Sequence, residues 1–286
     1  MADDADTYTF GDTDLAAERL RILARAFEPT SRAFLARVRA RAYGEAPVAL
    51  AVDLGCGPGY TTCLVRDVMA AAVTTGIDRS PRFLARAALR AADDLRFVAH
   101  DVTAPPPAAA GADLLYARFL LTHLARPAAA LRAWADVAAP GAHLLLEETA
   151  ALTSAHPALA RYHALVGALQ RAHGQDMTIG RTLARLASGT GWIVRQARVT
   201  RARLPARLMA RIHVMNLRTW RNDRHAARVC DGDELETLDA ALERLACGRD
   251  PAPPVDCRLG QVWLTRAATS PPFRGAPAPT QSPPGQ

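Results

Sequence analysis

Lysine is absent from this 286-residue chain; every one of its 35 basic side chains is arginine, set against 28 acidic ones. The net charge of +7 and pI near 9.7 would suit an acidic partner. An arginine-only, alanine-rich chain carries a compositional bias, however, so basicity alone does not point to nucleic acid. Cysteine is scarce. Cys56, Cys63, Cys230, Cys247 and Cys257 are odd in number and scattered, with no CxxC pair. That excludes a disulfide scaffold or a zinc ribbon and favours a reducing cytoplasm. No apolar run approaches about 18 residues without a charge, so no membrane span is predicted. The opening MADDADTYTFGDTD has neither a basic n-region nor an apolar h-region, unlike a signal peptide. What is present is half hydrophobic and 22% charged, enough to bury a sizeable core and to exclude a wholly disordered chain.

The first 18 residues carry six acids and no arginine. From Asp14, which can cap a helix, Leu15, Arg19, Leu20, Leu23 and Phe27 recur at helical spacing. Pro29 interrupts, and Ser31 starts a second predicted helix that Gly44 and Pro47 end. The texture then changes. Val48 to Asp53 is a continuous apolar run suited to a strand buried on both faces. Helices are predicted from Tyr60 to about Ala72, Pro81 to Ala92 and Pro127 to Ala138. Strands fall at Val73 to Asp78, Leu95 to Asp101, Asp113 to Ala117 and Ala142 to Glu148. This alternation indicates a doubly wound, mostly parallel α/β sheet. Beyond Thr149 the regularity lapses into helices at His156 to His173 and Gly180 to Ala187, which look like an insertion above the sheet edge. A strand at Trp192 to Leu204, helices at Pro205 to Asp223 and Glu234 to Ala246, and a closing strand at Asp256 to Arg266 follow. The Pro-, Gly- and Ser-rich stretch from Ser270 is expected to be disordered.

The central signal is Asp53-Leu-Gly-Cys-Gly-Pro-Gly59, directly after a strand and before a helix. Glycines there let backbone approach a ligand closely, and the free N–H groups of the helix start favour polar or anionic atoms. The spacing is GxGxG, with Tyr60 where a dinucleotide fingerprint would place its third glycine, and no GK[ST] follows. Asp78 and Asp101 end the next two strands. Asp78 can accept hydrogen bonds from a ribose diol and Asp101 one from an adenine amino group. Taken singly, each Asp could equally be a solvated turn residue. Three acidic strand tips converging on one crevice is the informative coincidence, because ligands in open α/β sheets bind outside the carboxyl ends of the strands.

DLGCGPG, GIDRS, HDV, ADLLYAR and PGAHLLLEE, in that order over about Val48 to Glu148, resemble the class I S-adenosylmethionine-dependent methyltransferases, of the small-molecule type. The resemblance implies a Rossmann-like, seven-stranded, mostly parallel sheet whose antiparallel strand is Asp256 to Arg266. It implies S-adenosylmethionine as cofactor, with Gly55, Gly57 and Gly59 lining its methionine part. Asp78 would hold the ribose and Arg79 would lie beside the adenine. Asp101 and the Val102 backbone would read the adenine edge, and Ala117 and Arg118 would sit near the sulfonium. Asp53 precedes the loop as part of the same binding motif. The YTFG and Glu18-Arg19-Leu20 segments resemble the leader of small-molecule members, where Tyr8 closes over the cofactor and Arg19 pairs with its carboxylate. Arg19 could also be an ordinary solvated helix residue. The division this implies is N-terminal lid helices over 1–47, a cofactor-binding core over 48–149 and a helical cap over 150–191. A C-terminal part of the sheet with inserted helices covers 192–268, and a disordered tail covers 269–286.

The acceptor is narrowed by exclusion. Ala117-Arg-Phe-Leu120 lacks the Asn/Asp-Pro-Pro-aromatic motif of nucleobase amino methylation, and no cysteine follows a proline as cytosine-C5 chemistry requires. His123 is a candidate general base, or else a loop residue fixed by a backbone bond. Glu147 and Glu148 end a strand, where one should face the crevice and could bind an acceptor hydroxyl or amine, with Glu147 the catalytic candidate, or else they meet arginines in a structural pair. His156, His163 and His173 show no HxxxH spacing, and no metal is predicted. Met177, Ile179, Met209, Met215 and Trp220 are candidate apolar lining, or ordinary core. Ten arginines and one acid between Trp192 and Arg228 could form a nucleic-acid face, yet few aromatics interleave them. The favoured reading is methyl transfer to a small molecule, a specialised metabolite or organic acid. The alternatives are an RNA or protein acceptor, a cofactor-binding protein without transfer, and, more distantly, a nicotinamide oxidoreductase. Oligomeric state is not legible, and a homodimer is one option.

Overall fold

A computed structural model describes residues 11–267. In chain order it has α1 (Asp14–Val38), β1 (Leu50–Leu54), α2 (Tyr60–Met69), β2 (Val73–Asp78), α3 (Pro81–Ala88), β3 (Leu95–Ala99), β4 (Leu114–Arg118), α4 (Pro127–Val137) and β5 (His143–Thr153). Then come α5 (Pro157–Ala172), the one-turn α6 (Leu183–Leu186), β6 (Trp192–Leu204), α7 (Ala206–Trp220), the one-turn α8 (Ala226–Val229), α9 (Gly232–Ala246) and β7 (Val255–Arg266).

The strands form one sheet of order β3-β2-β1-β4-β5-β7-β6. β1 to β5 are parallel, while β7 runs antiparallel to both β5 and β6. Side chains alternate across the pleat and divide into two cores. Val52, Leu54, Leu115, Ala117, Leu144 and Leu146 pack with Leu131 and Trp134 of α4 on one face. Ala51, Leu114, Tyr116 and Leu145 pack with Phe34, Leu35, Leu64 and Met69 of α1 and α2 on the other. The inner strands are covered on both sides, which is why their sequences read as continuous apolar runs.

A third core joins the two helical segments on either side of β6. Tyr162, Leu165 and Leu169 of α5, Ile212, Leu217 and Trp220 of α7, and Leu238 and Leu242 of α9 pack together with Ile22 and Phe27 of α1. The first predicted helix of the insertion and the later helices therefore build a single cap, whereas Leu183 and Ala187 of the second predicted helix pack into the sheet core with α4. A short 3₁₀ turn at Ile179–Arg181 fastens the cap to the sheet. A Cβ on Gly260 would run into the Gly180 backbone, and one on Gly180 into that of Glu148, so only glycine allows this approach.

The N-terminal helix differs from expectation. Pro29 does not divide it, and one 25-residue helix runs through, capped by the Thr13 side chain rather than by Asp14. Proline removes one N–H and crowds the carbonyl four residues back, that of Arg25. Both residues are exposed, so water can serve that carbonyl, while buried Phe27, Ser31, Phe34 and Leu35 hold the two halves in line. The Ser270 segment and Tyr8 lie outside the described residues.

Candidate active site

A cavity of about 590 Å³ opens above the carboxyl ends of β1 to β4, between the sheet and the cap. At its sheet end, the Asp78 carboxylate at the tip of β2 accepts the Gly57 N–H through Oδ2 at 2.8 Å and the Ser80 N–H through Oδ1 at 2.8 Å. Each oxygen keeps lone-pair capacity for a further donor. Ser80 Oγ in turn donates to Asp12 at 2.9 Å. Burial raises the pKa of Asp78, but its two backbone donors oppose the shift. Gly55, Gly57, Arg79, Asp101 and Val102 line this same end. Asp101 accepts the Thr103 N–H at 2.9 Å, and the Val102 carbonyl accepts the Trp134 indole N–H at 2.8 Å.

Three residues expected to touch the cofactor do not reach the cavity. Asp53 is buried, and its Oδ2 accepts the Thr61 and Thr62 hydroxyls at 2.6 and 2.8 Å. Burial pushes its pKa up to about 6 against those bonds. Its task is to fix the start of α2. Gly59 faces Phe97 and Ala87, where a Cβ would clash, so its glycine serves packing between α2, β3 and α3. Ala117 is fully buried in the core beneath the sheet end. Arg118, the next residue, does line the cavity and donates to Ser31 Oγ at 3.0 Å.

Past β4 the chain turns sharply. Phe119 has φ +53°, a left-handed conformation that costs energy in a bulky residue. Glu148, fully buried beneath the turn, accepts the N–H groups of Leu120 and Leu121 through Oε1 at 2.8 and 2.6 Å. Burial nevertheless pushes its pKa up to about 8. Glu147, expected as a catalytic carboxylate, is also fully buried and points away. It accepts the Tyr116 hydroxyl at 2.6 Å and the Gln261 amide at 2.8 Å, between β4 and β7. Among the described residues neither glutamate hydrogen-bonds an arginine; alternation across the pleat puts one under the turn and the other in the sheet.

The turn carries His123 to the cavity wall. Its carbonyl accepts the Gln175 amide at 3.3 Å, and the Thr122 hydroxyl donates to the Asp176 carbonyl at 2.7 Å, so the turn is tied to the loop after α5. Burial, with the Arg19 and Arg79 charges nearby, lowers the His123 pKa to about 3. The imidazole is neutral near pH 7 and too weak a base to take a proton from an alcohol or amine.

Arg19 is 4% exposed and lines the cavity from α1, together with Leu23 and Phe27 one and two turns on. The cap end is walled by Met177 and by stripes from two helices, Tyr162, Val166 and Gln170 of α5 and Met209, Ile212, His213 and Asn216 of α7. Both stripes follow the i, i+3, i+4 rule that reading the helices for apolar residues alone passes over, since their informative members are polar. Met177 and Met209 line the cavity as expected, whereas Ile179, Met215 and Trp220 belong to the core. His163 packs against His213 and His156 caps α5, while His173 bonds Asp223. No group of three potential metal ligands occurs among the described residues, and no described helix is long and apolar enough to cross a membrane.

Comparison with known proteins places this geometry. Residues 52–146 match the family described as a methyltransferase domain. The trans-aconitate 2-methyltransferase of Klebsiella pneumoniae is 46% identical over 74 residues, 26% of this chain and 28% of the relative. That of Methylobacterium radiotolerans is 35% identical over 146 residues, 51% and 55% respectively. The matches thus span about half the length of these relatives or less. Among solved structures, the cyclase SpnF superposes with a TM-score of 0.50 at 17% identity, over 82% of this chain and 81% of its own. Phosphoethanolamine N-methyltransferase 2 of Haemonchus contortus does so at 0.51 and 15% identity, over 91% and 60%. These two share the fold.

Proposed function

We propose that this chain, whose residues 52–146 form a methyltransferase domain of class I fold, transfers the methyl group of S-adenosylmethionine to the carboxylate of a small organic acid. The cofactor supplies a methyl group already activated by the sulfonium charge. The residues present fit it. Asp78 offers lone pairs at the tip of β2 for the ribose hydroxyls, and Gly55 and Gly57 leave the backbone open for the methionine part. Asp101, Val102 and Arg79 suit the adenine, and Arg19 and Arg118 bring positive charge for the methionine carboxylate.

The observation that carries the choice of acceptor is the distribution of carboxylates and bases. Among the described residues, the cavity-lining acids are Asp12, Asp78 and Asp101, with Asp12 and Asp78 joined through Ser80 and Asp101 following the next strand. None stands at the cap end, Glu147 does not reach the cavity, and His123 is a neutral, weak base. His213, which also lines the cavity, has its pKa lowered by burial, and His100 lies beside Asp101 at the cofactor end, so an acceptor that must lose a proton as it reacts finds no strong base beside the His123 turn. A carboxylate arrives deprotonated and attacks as it is, so the protein has to orient it rather than activate it. His123 can donate a hydrogen bond to that carboxylate. The Arg19 and Arg79 charges that lower the His123 pKa also favour an anion beside it. The trans-aconitate methyltransferases among the relatives act on an organic acid by name, which supports the same reading.

The test is transfer of isotopically labelled methyl to a panel of organic acids, followed by mild alkali. A methyl ester releases its label as methanol. An alkali-stable product would place the methyl on nitrogen, carbon or an alcohol oxygen and overturn the proposal. Binding of S-adenosylhomocysteine without transfer to any acid would leave a cofactor-binding protein and overturn it as well.

A further inference from the structure

Resting on that reading, we infer that the cap end of the cavity is a recognition site for a neutral hydrogen-bonding group at the far end of the acceptor. The substrate class is then a monocarboxylic acid with an apolar body and a distal hydroxyl, not a di- or tricarboxylate.

Three side chains carry the argument. Gln170, His213 and Asn216 are 2%, 4% and 7% exposed, and all three line the cavity. Gln170 Oε1, His213 Nδ1 and Asn216 Oδ1 are buried without a hydrogen-bond partner among the described residues. Buried polar atoms without partners are rare and costly, and several gathered on one wall imply that something else supplies the bonds. They lie on α5 and α7, whose side chains meet at the His163–His213 contact, and all three open onto the same cavity, where the distal part of one acceptor can reach them.

His213 is held for this use from behind. Its Nε2 lies 3.0 Å from His163 Nε2, and its ring stacks on Tyr162 at 4.0 Å between centroids. One Nε2 of the pair donates and the other accepts, so the tautomer of His163 sets that of His213. The free Nδ1 can therefore present either a lone pair or an N–H to the ligand. A hydroxyl needs this versatility; a carboxylate needs donors only.

Charge settles the class. The groups named at the cap end are amides, a phenol and imidazoles, and burial lowers the pKa of both His163 and His213, so they stay neutral near pH 7. Arg19 of α1, whose charge reaches Tyr162, is committed to the methionine carboxylate in the proposed function, so a second carboxylate placed there would be buried without a counter-charge of its own, which is far more costly than burying a hydroxyl. Val166, Met177, Met209 and Ile212 supply the apolar wall between the two polar ends.

The test uses ω-hydroxy acids of four to ten carbons beside the plain monoacids and the α,ω-diacids of equal length, with trans-aconitate as a triacid. Ester formation is measured at saturating cofactor, and binding is measured calorimetrically with S-adenosylhomocysteine present. At the best length the hydroxy acid should exceed the monoacid by roughly tenfold and the diacid by more. The variants His213→Phe and Gln170→Leu should each erase most of the advantage over the monoacid, with S-adenosylhomocysteine affinity unchanged as the check on folding. Diacids or trans-aconitate accepted as well as the hydroxy acids would overturn the inference while leaving the proposed function intact. So would selectivity that survives both variants. If no ester forms on any acid, the proposed function fails, and the order of binding still decides the inference.

Discussion

Asp78, half-buried, and Glu148, fully buried, are acids that each accept two backbone N–H groups, yet they act differently. Asp78 ties the glycine loop to the end of β2 and faces the cavity, so it can serve a ligand directly. Asp78→Ala should weaken S-adenosylhomocysteine binding by about 1–3 kcal/mol through lost charge-assisted hydrogen bonds, read by titration calorimetry. Glu148 serves the turn that holds Phe119 in its left-handed conformation. Its pKa rises from 4.5 in a flexible chain to about 8 in the fold. The folded state thus holds the proton more tightly, and this group's contribution is full below pH 4.5 and lost as pH climbs through 8. Glu148→Gln keeps an acceptor for both N–H groups but cannot ionise. The stability difference between variant and parent should therefore shift toward the variant from pH 5 to pH 8.5 in urea titrations. A pH-independent difference would show that Glu148 ionises normally.

Among the elements, α1 does two jobs. Its first half lays Arg19, Leu23 and Phe27 against the cavity, and its second half packs Phe34, Leu35 and Val38 under the sheet. Pro29 sits between the two and exposed, so relieving it has little packing to disturb. Pro29→Ala should raise the melting temperature, by a stabilisation of up to about 3 kcal/mol, visible in circular dichroism melts. The same helix shows where reading the chain succeeds and where it stops. β2 and β6 match their predicted ranges residue for residue, because turn residues bound apolar or β-branched runs. Pro29 misled, because a local rule about backbone donors does not register the long-range burial that holds the helix together. Asp78 and Asp101 could be placed because strand ends have a defined direction. Asp53 and Glu147 could not, because which way a carboxylate turns depends on Thr61, Thr62, Tyr116 and Gln261, partners that only the fold brings near. His213, Gln170 and Asn216 went unnoticed because polar residues inside a helical stripe look like its solvent side until a second helix is known to face them.

For the molecule as a whole, the cap contains ionisable groups in a setting that resists charging. The His163 pKa falls from 6.5 to about 4 and that of His213 falls well below 6.5, both chiefly by burial. The unfolded chain takes up protons below pH 6.5 that the folded cap refuses, so their contribution is present above 6.5 and is lost as pH falls through 4. Carboxylates such as Asp53 have the opposite slope, so the comparison is again a difference. A His163→Phe, His213→Phe double variant should gain on the parent steadily between pH 7 and pH 4.5 in denaturant midpoints. A constant gap would mean that the pair titrates in the fold as it does in the unfolded chain. Because α5 precedes β6 while α7 and α9 follow it, the cap end of the cavity is assembled from stretches that are remote in sequence, with α1 as a third wall. Altering specificity by grafting is constrained accordingly. A chimera that borrowed residues 150–191 alone from another protein would join a foreign α5 to the resident α7, leaving the His163–His213 contact without one member, so both halves have to be transplanted as a set.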